Sequence, residues 1–176
     1  MVTKKNLKGS ILLVMIVGML AVVAWVSSDQ NISVSPKVGY HAPLFTLPKF
    51  PDNLPISLAD YQGKPVFINF WASWCPPCQA ESPDLVKAYA KYGDKIQFIE
   101  VNLTAQDSLT DVSAFIKKYG IKHPTALDTK GTVSQQYQTL AIPASFFVDR
   151  QGIIVEQYVG AISQQMLEDD LQKISK

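Results

Sequence analysis

The sequence contains little cysteine and no strong excess of charge of either sign. Of its 176 residues only Cys75 and Cys78 are cysteines, and the formal net charge is +1. A near-neutral chain lacks the basic field of a nucleic-acid-binding domain, and no acidic tail is present. A disulfide between residues this close would close a tiny loop and hold no distant parts of the chain together. The pair therefore indicates chemistry rather than a structural crosslink.

Charge is absent from residues 11–26, and three lysines precede them. As a helix rising about 1.5 Å per residue, residues 10–26 come near the lower limit for crossing a bilayer. The lysines favour a cytoplasmic N-terminus at residues 1–9, a transmembrane signal-anchor at 10–26, a linker at 27–37 and an external domain at 38–176. A cleaved signal peptide is the alternative, with poor cleavage sites ending at Ala24 or Ser28.

Beyond the linker, strand-like and helical stretches alternate. Three prolines between residues 48 and 55 confine the first two strands to a hairpin at a sheet edge. The last helix is expected to bury Met166, Leu167 and Leu171. The order predicts a three-layer α/β domain with a mixed central sheet. Strands are expected at 44–47, 54–58, 66–70, 96–101, 123–127, 145–148 and 153–159, and helices at 76–92, 109–119, 132–139 and 163–174.

Cys75 follows a predicted central strand and directly precedes a predicted helix. Pro76 suits the first helical position, which needs no N–H donor. The helix dipole and the free N–H groups favour a negative sulfur at Cys75, and a thiolate is the nucleophile of disulfide exchange. Cys78, one turn further along, is expected to be more buried and to resolve the mixed disulfide.

Other interpretations of the cysteine pair have less support in the sequence. A zinc site needs about four ligands, and the two histidines, His41 and His123, are distant in sequence from the cysteines. Copper delivery, as in cytochrome-oxidase assembly factors, would require three intervening residues. A peroxidatic cysteine would require a hydroxyl residue where Ala72 stands, and an inert structural pair is the remaining alternative. No metal or cofactor is expected.

Three further features accompany the pair. Pro143 precedes a predicted strand, and a cis bond there would expose the backbone of Ile142 to a substrate segment. Glu81 shares a helix face with Cys78 and could take its proton, or it could be a solvated residue that complements the helix dipole. Trp74 is expected either to flank the site as an apolar contact or to serve packing alone.

Two stretches carry a resemblance to a known family. Residues 69–83, NFWASWCPPCQAESP, and 141–149, AIPASFFVD, resemble the ResA/TlpA-like thiol–disulfide oxidoreductases, including the spore-associated StoA group. The resemblance implies a thioredoxin fold with an added N-terminal β-hairpin and a central insertion, which residues 109–127 would supply. It also implies catalysis by Cys75, Cys78 and a glutamate placed like Glu81, with Asn69 where ordinary thioredoxin has an aspartate.

The same resemblance implies a monomer anchored by one N-terminal helix. Such proteins reduce partner disulfides outside the membrane with electrons from a membrane protein of the CcdA type. The substrate would be an apocytochrome c or a spore or envelope protein, and the Pro76-Pro77 spacer, which cytochrome-maturation members do not all share, leaves that choice open. An oxidase or isomerase of the same fold, or a non-catalytic redox-sensing adaptor, remains the alternative.

Overall fold

The structure, a computed structural model, describes residues 33–176. Within them no helix is both long and apolar enough to cross a bilayer. The predicted cytoplasmic segment at 1–9, the predicted anchor at 10–26 and most of the predicted linker lie outside the described residues.

The order of elements follows the predicted alternation. The strands are β1 (Thr46–Phe50), β2 (Pro55–Ser57), β3 (Val66–Trp71), β4 (Gln97–Asn102), β5 (Thr125–Leu127), β6 (Ala144–Val148) and β7 (Ile154–Val159). The helices are α1 (Pro76–Tyr92), α2 (Leu109–Tyr119), α3 (Thr132–Gln136) and α4 (Gln164–Ile174). Residues 109–127, the predicted insertion, contribute α2 and β5.

The strands form one mixed sheet in the order β2-β1-β5-β4-β3-β6-β7. Strands β3, β4 and β5 run parallel, whereas β6 is antiparallel to β3 and β7 to β6. The β1–β2 hairpin lies at one edge, as predicted, with Leu47 opposite Ile56. Strand β3, in which every residue is buried, is therefore the platform from which the Cys75 segment leaves the sheet.

Helices pack on both faces of the sheet. On one face, Phe67 of β3 packs with Leu85 of α1 and Leu171 of α4, and Trp71 packs against Phe115 of α2. On the other face, alternate residues of β3 pack with Tyr137 and with the segment that precedes β1. This layered arrangement confirms the predicted α/β fold class.

The first strand, the third helix and Met166 differ from the sequence-based expectation. The first strand spans Thr46–Phe50 rather than 44–47. The third helix ends at Gln136 rather than at 139, and Gln138 follows it with a left-handed φ of 52°. Met166 is 39% exposed, so its predicted burial is wrong, whereas Leu167 and Leu171 are buried. The reason is helical periodicity: the buried stripe of α4 runs through residues 167, 170, 171 and 174, and Met166 lies about 100° away from Leu167.

Candidate active site

Cys75 lies where β3 has ended and α1 begins. It is the N-cap of α1, with extended backbone, and its Sγ accepts a hydrogen bond from Cys78 N at 3.3 Å. Pro76 occupies the first helical position, as predicted. The sulfur of Cys75 therefore faces the free N–H groups and the positive end of the helix dipole, which favour a thiolate in the reduced protein.

Cys75 and Cys78 form a disulfide whose Cα atoms are 5.3 Å apart. Both residues are buried, at 2% and 1% exposure, so exposure hardly distinguishes Cys75 from Cys78. Both pack within one apolar cluster, because α2 and the end of β3 close over the start of α1. The two sulfurs differ in position instead: Cys75 Sγ lies 3.7 Å from Ile142 O, at the segment that leads into β6.

The Ile142–Pro143 peptide bond is cis. Ile142 is half-buried and packs against the cysteine cluster, and Pro143 O accepts a hydrogen bond from Gly160 N at 2.8 Å. The carbonyl of Pro143 is thus hydrogen-bonded to the backbone just after β7, whereas the carbonyl of Ile142 faces Cys75 Sγ. The structure therefore places Ile142, one of the three predicted substrate-binding residues, beside Cys75, with Pro143 next to it in the chain.

Trp74 is the exposed aromatic residue of the site, at 53% exposure. Its Nε1 donates a hydrogen bond to Gln106 O at 2.8 Å. The preceding residue, Ser73, donates from N and Oγ to the carboxylate of Asp107 at 2.7 and 2.6 Å. Residues just before α2 thus hold the segment that carries Cys75. The sequence did not indicate this role for Asp107, because an Asp before a helix is typical of local capping.

Glu81 is buried, at 4% exposure, so the alternative of a solvated first-turn glutamate is wrong. Its Oε1 accepts from Asn69 Nδ2 at 3.0 Å and its Oε2 from Ile162 N at 3.3 Å. Burial raises the pKa of Glu81 to about 7, the two hydrogen bonds oppose that rise, and the charge of Glu100 adds to it. A carboxyl group one turn from Cys78 can therefore gain or lose a proton near neutral pH.

The raised pKa of Glu81 makes stability depend on pH. Between 4.5, its ordinary value, and about 7, the folded protein keeps a proton that the unfolded chain has released, so raising the pH favours unfolding. We expect Glu81 to cost the oxidised protein about 3 kcal/mol of unfolding free energy across this window, with no further change above it. The free energy of unfolding, measured with urea at pH 4.5 and at pH 8, should fall more between these values in the wild type than in Glu81→Gln. An equal pH dependence in both proteins would contradict the raised pKa.

Side chains that ligate metals are not clustered within residues 33–176. There, no three His, Cys, Asp or Glu side chains come close enough together to hold an ion. His41, which is distant from the cysteines in sequence, forms backbone β-bridges with Val34 and Ile153. His123 is buried against the ring of Tyr89. The chemistry available at the site is thus thiol–disulfide exchange supported by one protonatable carboxyl group.

Comparisons with known proteins agree with this geometry. The AhpC/TSA family model matches residues 38–157. The thiol-disulfide oxidoreductase ResA of Bacillus thuringiensis subsp. konkukian is 34% identical over 139 residues, which are 79% of each chain. A Chlorobium tepidum structure described as a thiol:disulfide interchange protein DsbE gives a TM-score of 0.72 at 31% identity, covering 80% of this chain and 99% of that one. StoA from Bacillus subtilis gives a TM-score of 0.63 at 29% identity, covering 73% and 96%.

These matches confirm the thioredoxin-like fold and the resemblance drawn from residues 69–83 and 141–149. The family model spans β3, the cysteine pair and the Ile142–Pro143 segment together. The chain belongs to the AhpC/TSA family and is a thiol–disulfide oxidoreductase related to ResA and StoA.

Proposed function

We propose that this enzyme reduces disulfides of partner proteins on the outer face of the cell membrane. The observation that carries the proposal is the Cys75–Cys78 disulfide at the start of a helix, with the buried carboxyl of Glu81 one turn further along. This arrangement supplies both a stabilised thiolate and a proton acceptor for the second thiol.

The reaction consumes the reduced form of the enzyme. The thiolate of Cys75 attacks one sulfur of the partner disulfide; a mixed disulfide forms, and the other partner sulfur leaves as a thiolate that takes up a proton. Glu81 accepts the proton of Cys78, whose thiolate then attacks Cys75 Sγ. The bond between Cys75 and the partner breaks, and the second partner sulfur leaves as a thiolate that also takes up a proton. The partner then carries two thiols and the enzyme the Cys75–Cys78 disulfide, so two electrons have moved to the partner.

The segment around Ile142 is the proposed docking site for the substrate. Its carbonyl faces Cys75 Sγ, and an extended peptide carrying the target cysteine could pair with this backbone as an added strand. Trp74, exposed beside the cysteines, would cover the apolar side of such a segment. An apocytochrome c and a spore or envelope protein are both candidate substrates, and docking through backbone is compatible with either.

The oxidised enzyme must be reduced again before each new turnover. We propose a membrane electron donor of the CcdA type, because the chain is related to ResA and its first residues have the composition of a signal-anchor. The enzyme would act as a monomer, attached by residues 10–26, with residues 1–9 in the cytoplasm, the 27–37 linker outside and no bound cofactor. A disulfide oxidase or isomerase is the nearest alternative, since the same two sulfurs can run the exchange in either direction.

Thiol labelling of intact bacteria tests direction and location together. A membrane-impermeant maleimide should label the two cysteines from outside, and the protein should sediment with membranes with its N-terminus intact. Deleting the CcdA-type donor should abolish labelling until a chemical reductant is added. Because the chain has only two cysteines, the double variant Cys75→Ser, Cys78→Ser contains no thiol for the maleimide and is the negative control.

Three results would contradict the proposal. A mature soluble protein that begins at or beyond Ala24 would exclude the anchor. Labelling only after cell lysis would exclude the external location. Cysteines that remain oxidised in cells containing the donor would favour the oxidase.

A further inference from the structure

A row of polar side chains crosses the central sheet beneath α1. Along this row Thr125 of β5 is the register partner of Glu100 of β4, and Glu100 is the partner of Asn69 of β3. Asn69 is in turn the partner of Ser145 of β6, and Ser145 of Tyr158 of β7. Register partners in neighbouring strands point to the same face of a sheet, so these five side chains form one continuous row.

The surroundings of this row are apolar. The register row before it in β3 contains Phe67, whose ring lies 5.2 Å from that of Phe98 and 5.0 Å from that of Phe147. The row after it contains Trp71, which is buried against Phe115. A charge within the polar row is therefore poorly screened by water and acts strongly on its neighbours.

Glu100 is the charged member of the row, and it is 2% exposed. Its Oε1 lies 2.8 Å from Nε2 of His123, close enough for an ion pair when the imidazole is protonated. The contact lacks the geometry of a hydrogen bond, and within residues 33–176 neither ring nitrogen of His123 has a hydrogen-bond partner. The ring of Tyr89, 5.0 Å away, covers His123 on the side of α1. Glu100 and His123 thus form a buried pair whose role the disulfide exchange described above does not explain.

Asn69 connects Glu100 to the redox site. Its Nδ2 donates both to Glu81 Oε1 and to Ser145 Oγ, each at 3.0 Å. Adjacent strands lie about 4.8 Å apart, so the carboxyl of Glu100 is a near neighbour of the amide that holds Glu81. The other titratable or charged groups on the elements packed around this row are Cys75, Cys78 and Tyr89 from the α1 segment, Tyr158 from β7, and Asp170 with its partner Lys173 from α4.

We propose that Glu100, paired with His123, is a positioning residue whose charge opposes loss of the proton from Glu81 and so contributes to the pH range of the Cys78 step. A negative charge in a dry region disfavours a second negative charge nearby, so Glu100 opposes ionisation of Glu81. Burial is the larger cause of the raised pKa of Glu81, and Glu100 acts in the same direction. The proposal rests on the proton-acceptor role of Glu81 proposed above.

Direct titration of Glu81 tests the proposal. The side-chain carboxyl of Glu81 is followed by carbon-detected NMR in the oxidised full-length protein, where the cysteines do not titrate. Replacing Glu100 by Gln keeps the shape and removes the charge, and the midpoint of Glu81 is expected to fall by about half a unit to one unit. Asp84→Asn is the matched control, since it removes one negative charge from α1, the helix of Glu81, at a site whose ion pair within residues 33–176 is with Lys87. It should leave the midpoint unchanged.

A kinetic measurement separates tuning of Glu81 from direct action on the cysteines. In Glu100→Gln the acid limb of the pH–rate profile should move to lower pH by the same amount, which raises the rate below the midpoint by about 3-fold to 10-fold. In a Glu81→Gln background, Glu100→Gln should produce no such movement. If the Glu81 midpoint shifts but the profile does not, the tuning holds and the proton-acceptor role of Glu81 fails.

Two results would overturn the proposal. One is an unchanged midpoint of Glu81 in Glu100→Gln, and the other is a profile shift that persists without Glu81. If Glu100→Gln does not fold, the paired variant Glu100→Met, His123→Phe removes the whole buried pair without leaving an unpaired partner. The same lowering of the Glu81 midpoint is expected there, and its absence would equally overturn the proposal.

Discussion

Replacing Cys75 by serine is expected to reduce the rate of disulfide reduction to that of a protein-free control, whereas Cys78→Ala should stall after the first attack. Cys75 is the helix-capping sulfur beside Ile142, and a serine hydroxyl cannot form the mixed disulfide. Without Cys78, no resolving thiolate can release the partner. Cys78→Ala should therefore accumulate a covalent complex, seen on non-reducing gels as a reductant-sensitive band that Cys75→Ser lacks.

The identity of the attacking sulfur can be checked independently. Limited alkylation of the reduced wild-type protein, followed by peptide mass mapping, should place most of the label on Cys75. Equal trapping by both single variants, or preferential alkylation of Cys78, would reverse the order of attack and resolution.

The variant Glu81→Gln is expected to slow reduction near neutral pH by up to about 10²-fold, the lower end for lost general-base help. A glutamine keeps the hydrogen bond to Asn69 but cannot accept the proton of Cys78. Above the pKa of the Cys78 thiol the proton leaves unaided, so the rate should recover at alkaline pH. A pH series of single-turnover reduction of a model disulfide measures the effect.

The shape of the profile distinguishes a base from a structural residue. A deficit that is the same at every pH would mean that Glu81 supports the substrate site rather than moving a proton. An unchanged profile would leave Glu81 without a kinetic role. The Glu81→Asp variant, which shortens the side chain but keeps a carboxyl, should retain part of the pH dependence.

Local signals made the fold and the centre of the site predictable from sequence. A β-rich stretch followed at once by a cysteine, prolines and a helical pattern predicts that Cys75 caps a helix, and the structure confirms it. The alternation of strands and helices along the chain was predictable because each stretch has its own periodicity. The burial of Met166 was predicted wrongly because the buried face of α4 is narrow, and a position one residue before Leu167 already lies outside it.

Contacts between distant segments were not predictable in the same way. The bond from Ile162 N to Glu81 joins residues 81 positions apart and depends on how α4 approaches α1. The proximity of Glu100 to Asn69 depends on the register of β3 against β4, and a shift by one residue would place Glu100 on the opposite face. His123 was weighed in the sequence as a metal ligand, and its contact with Glu100 requires the same register.

The helix cap formed by Cys75 links two equilibria in a closed thermodynamic cycle. A charged sulfur interacts with the N–H of Cys78 and the helix dipole more strongly than a sulfur bound in a disulfide. This interaction stabilises the folded protein more in its reduced form than in its oxidised form. By the same amount of free energy, the folded dithiol is harder to oxidise than the dithiol of an unfolded chain. Conservation of free energy around the cycle requires the two quantities to be equal, apart from the small constraint that so short a disulfide loop places on the unfolded chain. The contribution of this helix start to the reduction potential, relative to the unfolded dithiol, is therefore also its contribution to the difference in stability between the two redox forms.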